Sequence, residues 1–453
     1  MARRFAAPQS ARLLHIVVGL VVGLPGVWGP AELQTAVAPP PPFAASDASQ
    51  FSAEVPVAWY AVVYTAVRDE RLSPPVAARV FGYLGVGLYE ALVRGMPGYQ
   101  SLAGQLNGLN ALPAPRGRAY HWPTVANSVL ATLLSGLLPG ASGATQAAIA
   151  SREQAFSAQF RAALRPGIWQ RSVDLGQAAG QAVLEWAQAD GYAAMPACAY
   201  ILPMGVGQWV PTPPGFAPPL LPCWGELRPF LLAGGSECSP SEPPAYSEEP
   251  QSAFYQEAWE TYTTVNQLSP EQLLIVRYWA DEPGQTGTPP GHSVAILGQV
   301  LDAQGSSLAV AGEAYARLGV AVADSFISCW STKYRHNLPR PITFIHNVIG
   351  DANWSTPITT PPFPEYSSGH SVQSGAAAQV LTDMFGPLSF TDHTHDGLEF
   401  TPRQFNDFFA FANEAAISRL YGGIHYRAAI EHGLEQGRCI GEKVSALAFK
   451  TLP

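Results

Sequence analysis

Along most of the chain, apolar side chains recur every third or fourth position while strict apolar–polar alternation is scarce, a spacing that predicts helices rather than strands. Ser73 followed by Pro74 and Pro75 marks a helix start, and Val76, Val80, Leu84, Leu88 and Leu92 continue it as one apolar stripe up to Gly95. Further helical windows fall at about 123–138, 142–164 and 171–190, the last closed by Gly191. Residues 203–250 break the rhythm with 12 prolines in 48 positions, so this stretch is expected to be mostly extended. Trp209, Cys223, Trp224 and Phe230 within it suit a solvated spacer poorly, which favours a long loop lying on the helical body over an interdomain linker.

Helices resume at about 251–267 and again at Ser269-Pro270, where Gln272 completes a capping-box pattern and the helix is expected to run to about Asp281, short of Pro283. Windows at 292–303 and 309–333 follow, ended by Pro339 and Pro341. The last three expected helices are 371–385, 401–421 (opened by Thr401 with Gln404 three residues on) and 427–448. No repeat of fixed period is present. The pattern predicts an all-α, multi-helix bundle forming one domain over residues 55–453, with functional loops at helix ends.

The N-terminus reads differently. Arg3, Arg4 and Arg12 precede an apolar run from Leu13 to Trp28, and Gly29-Pro30-Ala31 supplies small residues where a peptidase could cut. Residues 1–31 are therefore expected to be a signal peptide directing export, periplasmic or extracellular, with residues 32–54 a Pro/Ala/Ser-rich flexible leader. Broken by Pro25, the apolar run is short for the roughly 20 residues of a membrane span, and no stable span is expected later. Composition narrows the classes further. With 47% hydrophobic and 13% charged residues the chain can bury a large core and is not disordered. A net charge of −9, from 25 basic and 34 acidic residues, excludes a nucleic-acid binder. Five cysteines without a C-x-x-C pair exclude a zinc cluster of the usual spacing, while disulfides among Cys198, Cys223 and Cys238 stay open in an exported chain.

Three polar segments stand at helix ends in the otherwise apolar C-terminal third: Lys333 to Arg340-Pro341, Ser367-Ser368-Gly369-His370, and Ser418-Arg419 to His425, with Gly422 and Gly423 between. A helix start exposes unpaired N–H groups, here those of Ser368, Gly369 and His370, and so attracts an anion. Lys333, Arg340 and Arg419 gathered around it would repel one another unless a multiply charged oxyanion sat among them. His425 can then serve as nucleophile or metal ligand and His370 can move protons.

In order and spacing, the three segments resemble the signature shared by vanadium-dependent haloperoxidases and the phosphatidic-acid-phosphatase/acid-phosphatase superfamily. Over roughly residues 55–450 the chain is similar to the bacterial haloperoxidase branch. The resemblance implies an α-helical bundle with vanadate as cofactor, bound through Lys333, Arg340, Ser368, Gly369 and Arg419. It implies His425 as the imidazole on the metal and His370 as the acid–base residue, with Lys333 also catalytic. Hydrogen peroxide, halide and a small organic acceptor are the implied partners; the oligomeric state is open, a homo-oligomer included. Trp279-Ala280-Asp281 followed by Gly287-Thr-Pro-Pro290 resembles the haloperoxidase segment whose aspartate steadies an oxyanion-binding cation, so Asp281 is expected to pair with Arg419 or Lys333. Trp330 and Phe363 stand where fungal chloroperoxidases place aromatic residues near the halide.

Two positions depart from the family pattern. Ser367 replaces a proline before the S-G-H, and Ala428 and Ala429 follow His425 where an aspartate often orients that histidine. Loss of an orienting partner weakens a metal site 10- to 100-fold. Two rival readings therefore stand beside the haloperoxidase: a metal-free phosphatase with a phosphohistidine intermediate on His425, and a non-catalytic oxyanion-binding protein. His336, His393, His395 and His432 form no ligand set readable from sequence; His393 and His395 with Asp392 and Asp396 could chelate a cation, but a solvated loop is the expectation.

Overall fold

In the computed structural model, which describes residues 47–115, 119–398 and 400–451, the periodic segments fold as helices. The expected signal peptide and the leader up to residue 46 lie outside the described residues. The helices are α1 (Glu54–Asp69), α2 (Pro74–Leu92), α3 (Trp122–Leu137), α4 (Gly143–Ala163) and α5 (Pro166–Gln188), then α6 (Ala253–Asn266), α7 (Pro270–Tyr278), α8 (Thr288–Ala303) and α9 (Leu308–His336). A short α10 (Pro341–Phe344) leads to α11 (Gly369–Phe385), α12 (Phe408–Tyr421) and α13 (Arg427–Ser445). Ser269 and Gln272 close the capping box at the start of α7, as their spacing predicts.

The differences from the sequence reading have local causes. Residues 47–54 are packed instead of forming part of a loose leader: Asp47 caps a short turn, Ala53 donates to the Ser306 carbonyl (2.9 Å), and Leu308 donates to that of Phe51 (2.7 Å). Helix α1, which follows, buries Val55, Trp59, Val63 and Val67 along one stripe. Thr401 and Gln404 do not open a helix. Arg403–Phe405 pairs antiparallel with Phe390–Asp392, and α12 starts only after Asp407, whose carboxylate accepts the Ala410 N–H at 2.7 Å.

Helix α9 is the central strut, buried almost without break from Leu308 to Lys333. It packs along α2 and also against α11 and α13; α3 pairs with α5, and α12 lies against α11. Helix α2 with the turn after it, Pro74–Gly95, is long and apolar enough to cross a bilayer, yet its most apolar window is 94% buried inside the protein. The α2–α9 crossing is close because it is built on glycine. A Cβ on Gly85 would meet the Tyr315 carbonyl oxygen at 2.2 Å, and one on Gly319 the Phe81 carbonyl at 2.6 Å. The α11–α13 crossing uses the same device, for a Cβ on Gly437 would stand 2.1 Å from the Val372 carbonyl.

The proline-rich stretch lies against this body and buries Trp209, Trp224 and Phe230. Asp324, inside α9, accepts the backbone N–H groups of Phe230, Leu231 and Leu232 at 2.7–3.0 Å, and Trp209 donates to the Asn337 carbonyl. Two disulfides fasten it, Cys198–Cys223 and Cys238–Cys439. The second reaches α13, beyond the three cysteines from which pairing was expected, and Cys329 stays free and buried.

Candidate active site

The three polar segments meet where α9, α11 and α12 end or begin. Lys333, in the last turn of α9, is completely buried and donates to the carbonyls of Pro364 (3.0 Å), Glu365 (2.9 Å) and Ser367. Burial pushes its ammonium down to about 7. Arg340, at the N-cap of α10, donates through Nε to the Phe363 carbonyl (2.9 Å) and through Nη1 to that of Ile424 (2.6 Å); its Nη2 has no partner. Arg419, in the last turn of α12, holds only the Ser418 hydroxyl (2.9 Å) and, at 3.4 Å, the Val276 carbonyl. Burial brings both guanidiniums down to about 10.

Ser368 caps α11, its hydroxyl accepting the Ser371 N–H. Contrary to the expectation from sequence, its own N–H does not face an anion: it donates to the Ala429 carbonyl at 3.0 Å. That leaves the N–H groups of Gly369 and His370, which as the first two helical positions have no intrahelical acceptor. Ser367, in the place of the usual proline, donates its hydroxyl to Gln436 and lends its carbonyl to Lys333.

The orienting acid missing after His425 comes from another segment. Glu365 Oε1 lies 2.8 Å from His425 Nδ1 and also accepts the Tyr426 N–H at 2.9 Å. An oxygen that already accepts one N–H accepts the imidazole proton too, so His425 carries hydrogen on Nδ1 and turns a bare Nε2 toward Arg340 Nη1, 3.2 Å away. Burial lifts the Glu365 carboxyl to about 8 against the pull of Lys333, the Tyr426 N–H and Arg340. His370 donates from Nε2 to the Trp279 carbonyl (3.0 Å), leaving Nδ1 as its acceptor. Both imidazoles are held well below their ordinary range, by burial first and then by nearby guanidiniums, Arg419 for His370 and Arg340 for His425.

Gly369, His370, Arg419 and His425 line a cleft of ≈ 380 Å³ with Trp330 and Phe363 on its apolar side, whereas Lys333, Arg340, Ser368 and Glu365 are not part of its lining. The Phe363 ring stands 4.9 Å from Lys333 Nζ and 4.8 Å from the Arg340 guanidinium, and 4.9 Å from the Trp330 ring. Asp281 also lines the cleft but pairs with neither Arg419 nor Lys333. Its backbone has φ 47°, and the carboxylate meets His292 Nδ1 at 2.9 Å and His395 Nε2 at 3.3 Å. Its charge reaches Arg419 and His370 through space only. Asp392 and His395 are buried rather than part of a solvated loop, whereas His393 pairs with Asp396 at the surface.

Of the carboxylates near the three buried cations, Glu365 is engaged with His425 and Asp281 with His292 and His395, so neither forms an ion pair with Lys333, Arg340 or Arg419. An unpartnered guanidinium nitrogen and two free helix N–H groups remain, together with an imidazole lone pair whose contact is the 3.2 Å approach of Arg340 Nη1. That donor set fits a tetrahedral oxyanion carrying a metal centre, the group the sequence motifs imply.

Known proteins agree with this geometry. A family model described as the VCPO second helical-bundle domain matches residues 313–452, which hold all three segments. The crystal structure of a bacterial vanadium-dependent iodoperoxidase superposes with a TM-score of 0.82 at 37% identity, covering 88% of this chain and 98% of that one. Holo and apo structures of a bacterial vanadium-dependent chloroperoxidase share the fold, with TM-scores of 0.65 at 14% identity, covering 83% of this chain and 92% and 93% of theirs. No curated protein matches at the level of sequence. With the site assembled as the motifs require and a relative of this identity matched over nearly its whole length, the chain belongs to the vanadium-dependent haloperoxidases.

Proposed function

We infer that the protein oxidises halide with hydrogen peroxide to hypohalous acid, which then halogenates a small organic acceptor. The carrying observation is the set of polar groups left open at the site: Arg340 Nη2 and the Gly369 and His370 N–H groups as donors, and the lone pair of His425 Nε2, oriented by Glu365 and approached by Arg340 Nη1 at 3.2 Å. Vanadate would be held by Arg340, Gly369, Arg419 and the Ser368 cap, with the charge of Lys333 behind them and His425 as its protein ligand. Bound there it supplies Lewis acidity toward peroxide without changing oxidation state.

The remaining work falls to side chains. Arg340 and Arg419, fixed by backbone and hydroxyl acceptors, neutralise the oxyanion without having to reorganise. His370, anchored through Nε2, offers Nδ1 to take a proton from peroxide and return it to the leaving oxygen. Lys333 is fixed by three carbonyls, which places its charge behind Phe363. Trp330 and Phe363 give a polarisable, weakly hydrating edge suited to a large halide. The 37%-identical relative is an iodoperoxidase, which supports iodide as the halide to test first.

No observation favours the phosphatase, and the Glu365–His425 contact removes the reason for a non-catalytic reading. Export is part of the same proposal, supported by two disulfides that an oxidising compartment would maintain. The test is iodide and bromide oxidation by purified protein reconstituted with vanadate, with vanadium measured on the same sample. Turnover that requires vanadate and peroxide is expected; stoichiometric vanadium with no halide oxidised across roughly pH 5–8, the interval in which an unperturbed imidazole changes charge, would overturn it.

A further inference from the structure

Behind the cleft, the α7–α8 corner, α8 and the loop of the β-hairpin bring together Asp281, His292 and His395, which are 3%, 1% and 2% exposed. We propose that these three side chains bind a zinc ion, with Asp392 as the outer carboxylate that orients His292.

Three observations carry this. The first is geometric. One ligand atom from each residue lies within 4.8 Å of the others, with Asp281 oxygens 2.9 Å from His292 Nδ1 and 3.3 Å from His395 Nε2. Two ligands at about 2.0–2.2 Å from a tetrahedral zinc lie about 3.3 Å apart, so only small shifts separate this arrangement from a coordination shell.

The second is an unmet bonding demand. Both ring nitrogens of His395, and Asp281 Oδ1, are buried and lack a hydrogen-bond partner. The His395 ring is seated by aromatic contacts, 4.9 Å from Tyr278 and 4.5 Å from His292, yet its Nε2 is the atom aimed at Asp281. Leaving such groups unsatisfied is costly, and a cation between them removes the cost at both ends.

The third lies one shell out. Asp392 Oδ2 meets His292 Nε2 at 2.7 Å and accepts the Tyr278 hydroxyl at 2.8 Å, while Oδ1 accepts both the N–H and the hydroxyl of Thr394. A carboxylate saturated in this way fixes the far nitrogen of His292 and frees Nδ1 for a metal, the usual carboxylate–histidine–zinc relation. A proton on His292 could supply the central charge instead, but it would leave His395 Nε2 with no contact better than its 3.3 Å approach to Asp281. The cation takes one ligand atom from each of the three residues, clips the hairpin to the α7–α8 corner, and sits beside the anion pocket without sharing a ligand with it.

The test uses the full chain, stripped with chelator and kept free of vanadate, so that its outcome is independent of halide oxidation. Zinc titration by calorimetry is expected to give one ion per chain, and cobalt(II) to give the visible spectrum of a four-coordinate site. His395→Ala and Asp281→Asn should each weaken zinc binding at least tenfold, while His393→Ala, at the exposed Asp396 pair, should leave it unchanged. Absence of binding by the wild-type chain, or wild-type affinity in His395→Ala, would overturn the proposal. Should the variants fail to fold, X-ray absorption on the zinc-loaded wild type decides: two imidazoles with oxygen donors are expected, and fewer than two imidazoles refutes the site.

Discussion

Glu365 is the residue on which the proposed cofactor site is most exposed to test. Replacing it by alanine strips the acceptor from two buried donors, His425 Nδ1–H at 2.8 Å and the Tyr426 N–H at 2.9 Å. Each buried donor left unpaired costs about 1–3 kcal/mol, and imidazole freed of its partner can turn or change tautomer, so that Nε2 no longer presents its lone pair. Removing the outer partner of a metal-bound histidine typically weakens metal binding 10- to 100-fold, or about 1.4–2.7 kcal/mol. Glu365→Ala is therefore expected to raise the vanadate dissociation constant by about that factor. Glu365→Gln, which keeps an amide oxygen for the same two donors, is expected to lose less than about tenfold. Equilibrium dialysis against vanadate with elemental analysis reads the affinity directly, and iodide oxidation as a function of added vanadate reads it through activity. The larger change should appear in the vanadate needed for half-maximal rate rather than in the maximal rate. A Glu365→Ala protein with wild-type circular dichroism that binds vanadate as tightly as the parent would show that Glu365 does not orient His425.

Other perturbations probe the neighbouring parts. His425→Ala should abolish halide oxidation while leaving binding of sulfate, which needs the cations but no metal ligand, within about tenfold by calorimetry. Arg340→Ala removes a buried cation with a free Nη2 and should weaken sulfate and vanadate alike by about 1.5–3 kcal/mol, checked in the same titrations. Lys333 is pushed down to about 7 in the anion-free protein and must regain its proton when an anion arrives, so sulfate affinity should fall as pH rises above about 7. Glu365, lifted to about 8, bends the profile in the same sense, and Lys333→Met should flatten it. Away from the cleft, Asp324→Ala strands the N–H groups of Phe230, Leu231 and Leu232 and should cost on the order of 3 kcal/mol in chemical denaturation.

Most helices were legible through local signatures, Ser73-Pro74-Pro75 opening α2 and the Ser269/Gln272 box opening α7, whereas α1, opened at Ala53 without a side-chain cap, was not read. The hairpin was not, since strands of three residues carry too little alternation to outweigh an apparent cap at Thr401 and Gln404. At the site, Lys333, Arg340, Gly369, His370, Arg419 and His425 announce themselves by spacing within helix-end motifs. Glu365 does not, because 60 residues separate it from His425 and only the tertiary fold closes that distance. Phe363 drew notice two positions earlier, but nothing local marks the acid after Pro364 as the partner. The partners of Asp281 were hidden for the same reason, His292 standing 11 residues on, inside α8, and His395 beyond the Phe390–Asp392 strand.

The Cys198–Cys223 bridge has a practical corollary for handling the protein. Three residues before Cys223, the Leu220 carbonyl accepts both the Trp330 indole N–H at 3.1 Å and the Tyr334 hydroxyl at 2.7 Å, and Leu220 itself lines the cleft. Buffers containing dithiothreitol would thus slacken the wall against which the aromatic side of the cleft is braced, although neither cysteine of the bridge lines that cleft. Preparations made with and without reductant should be kept apart when their halide preferences are compared.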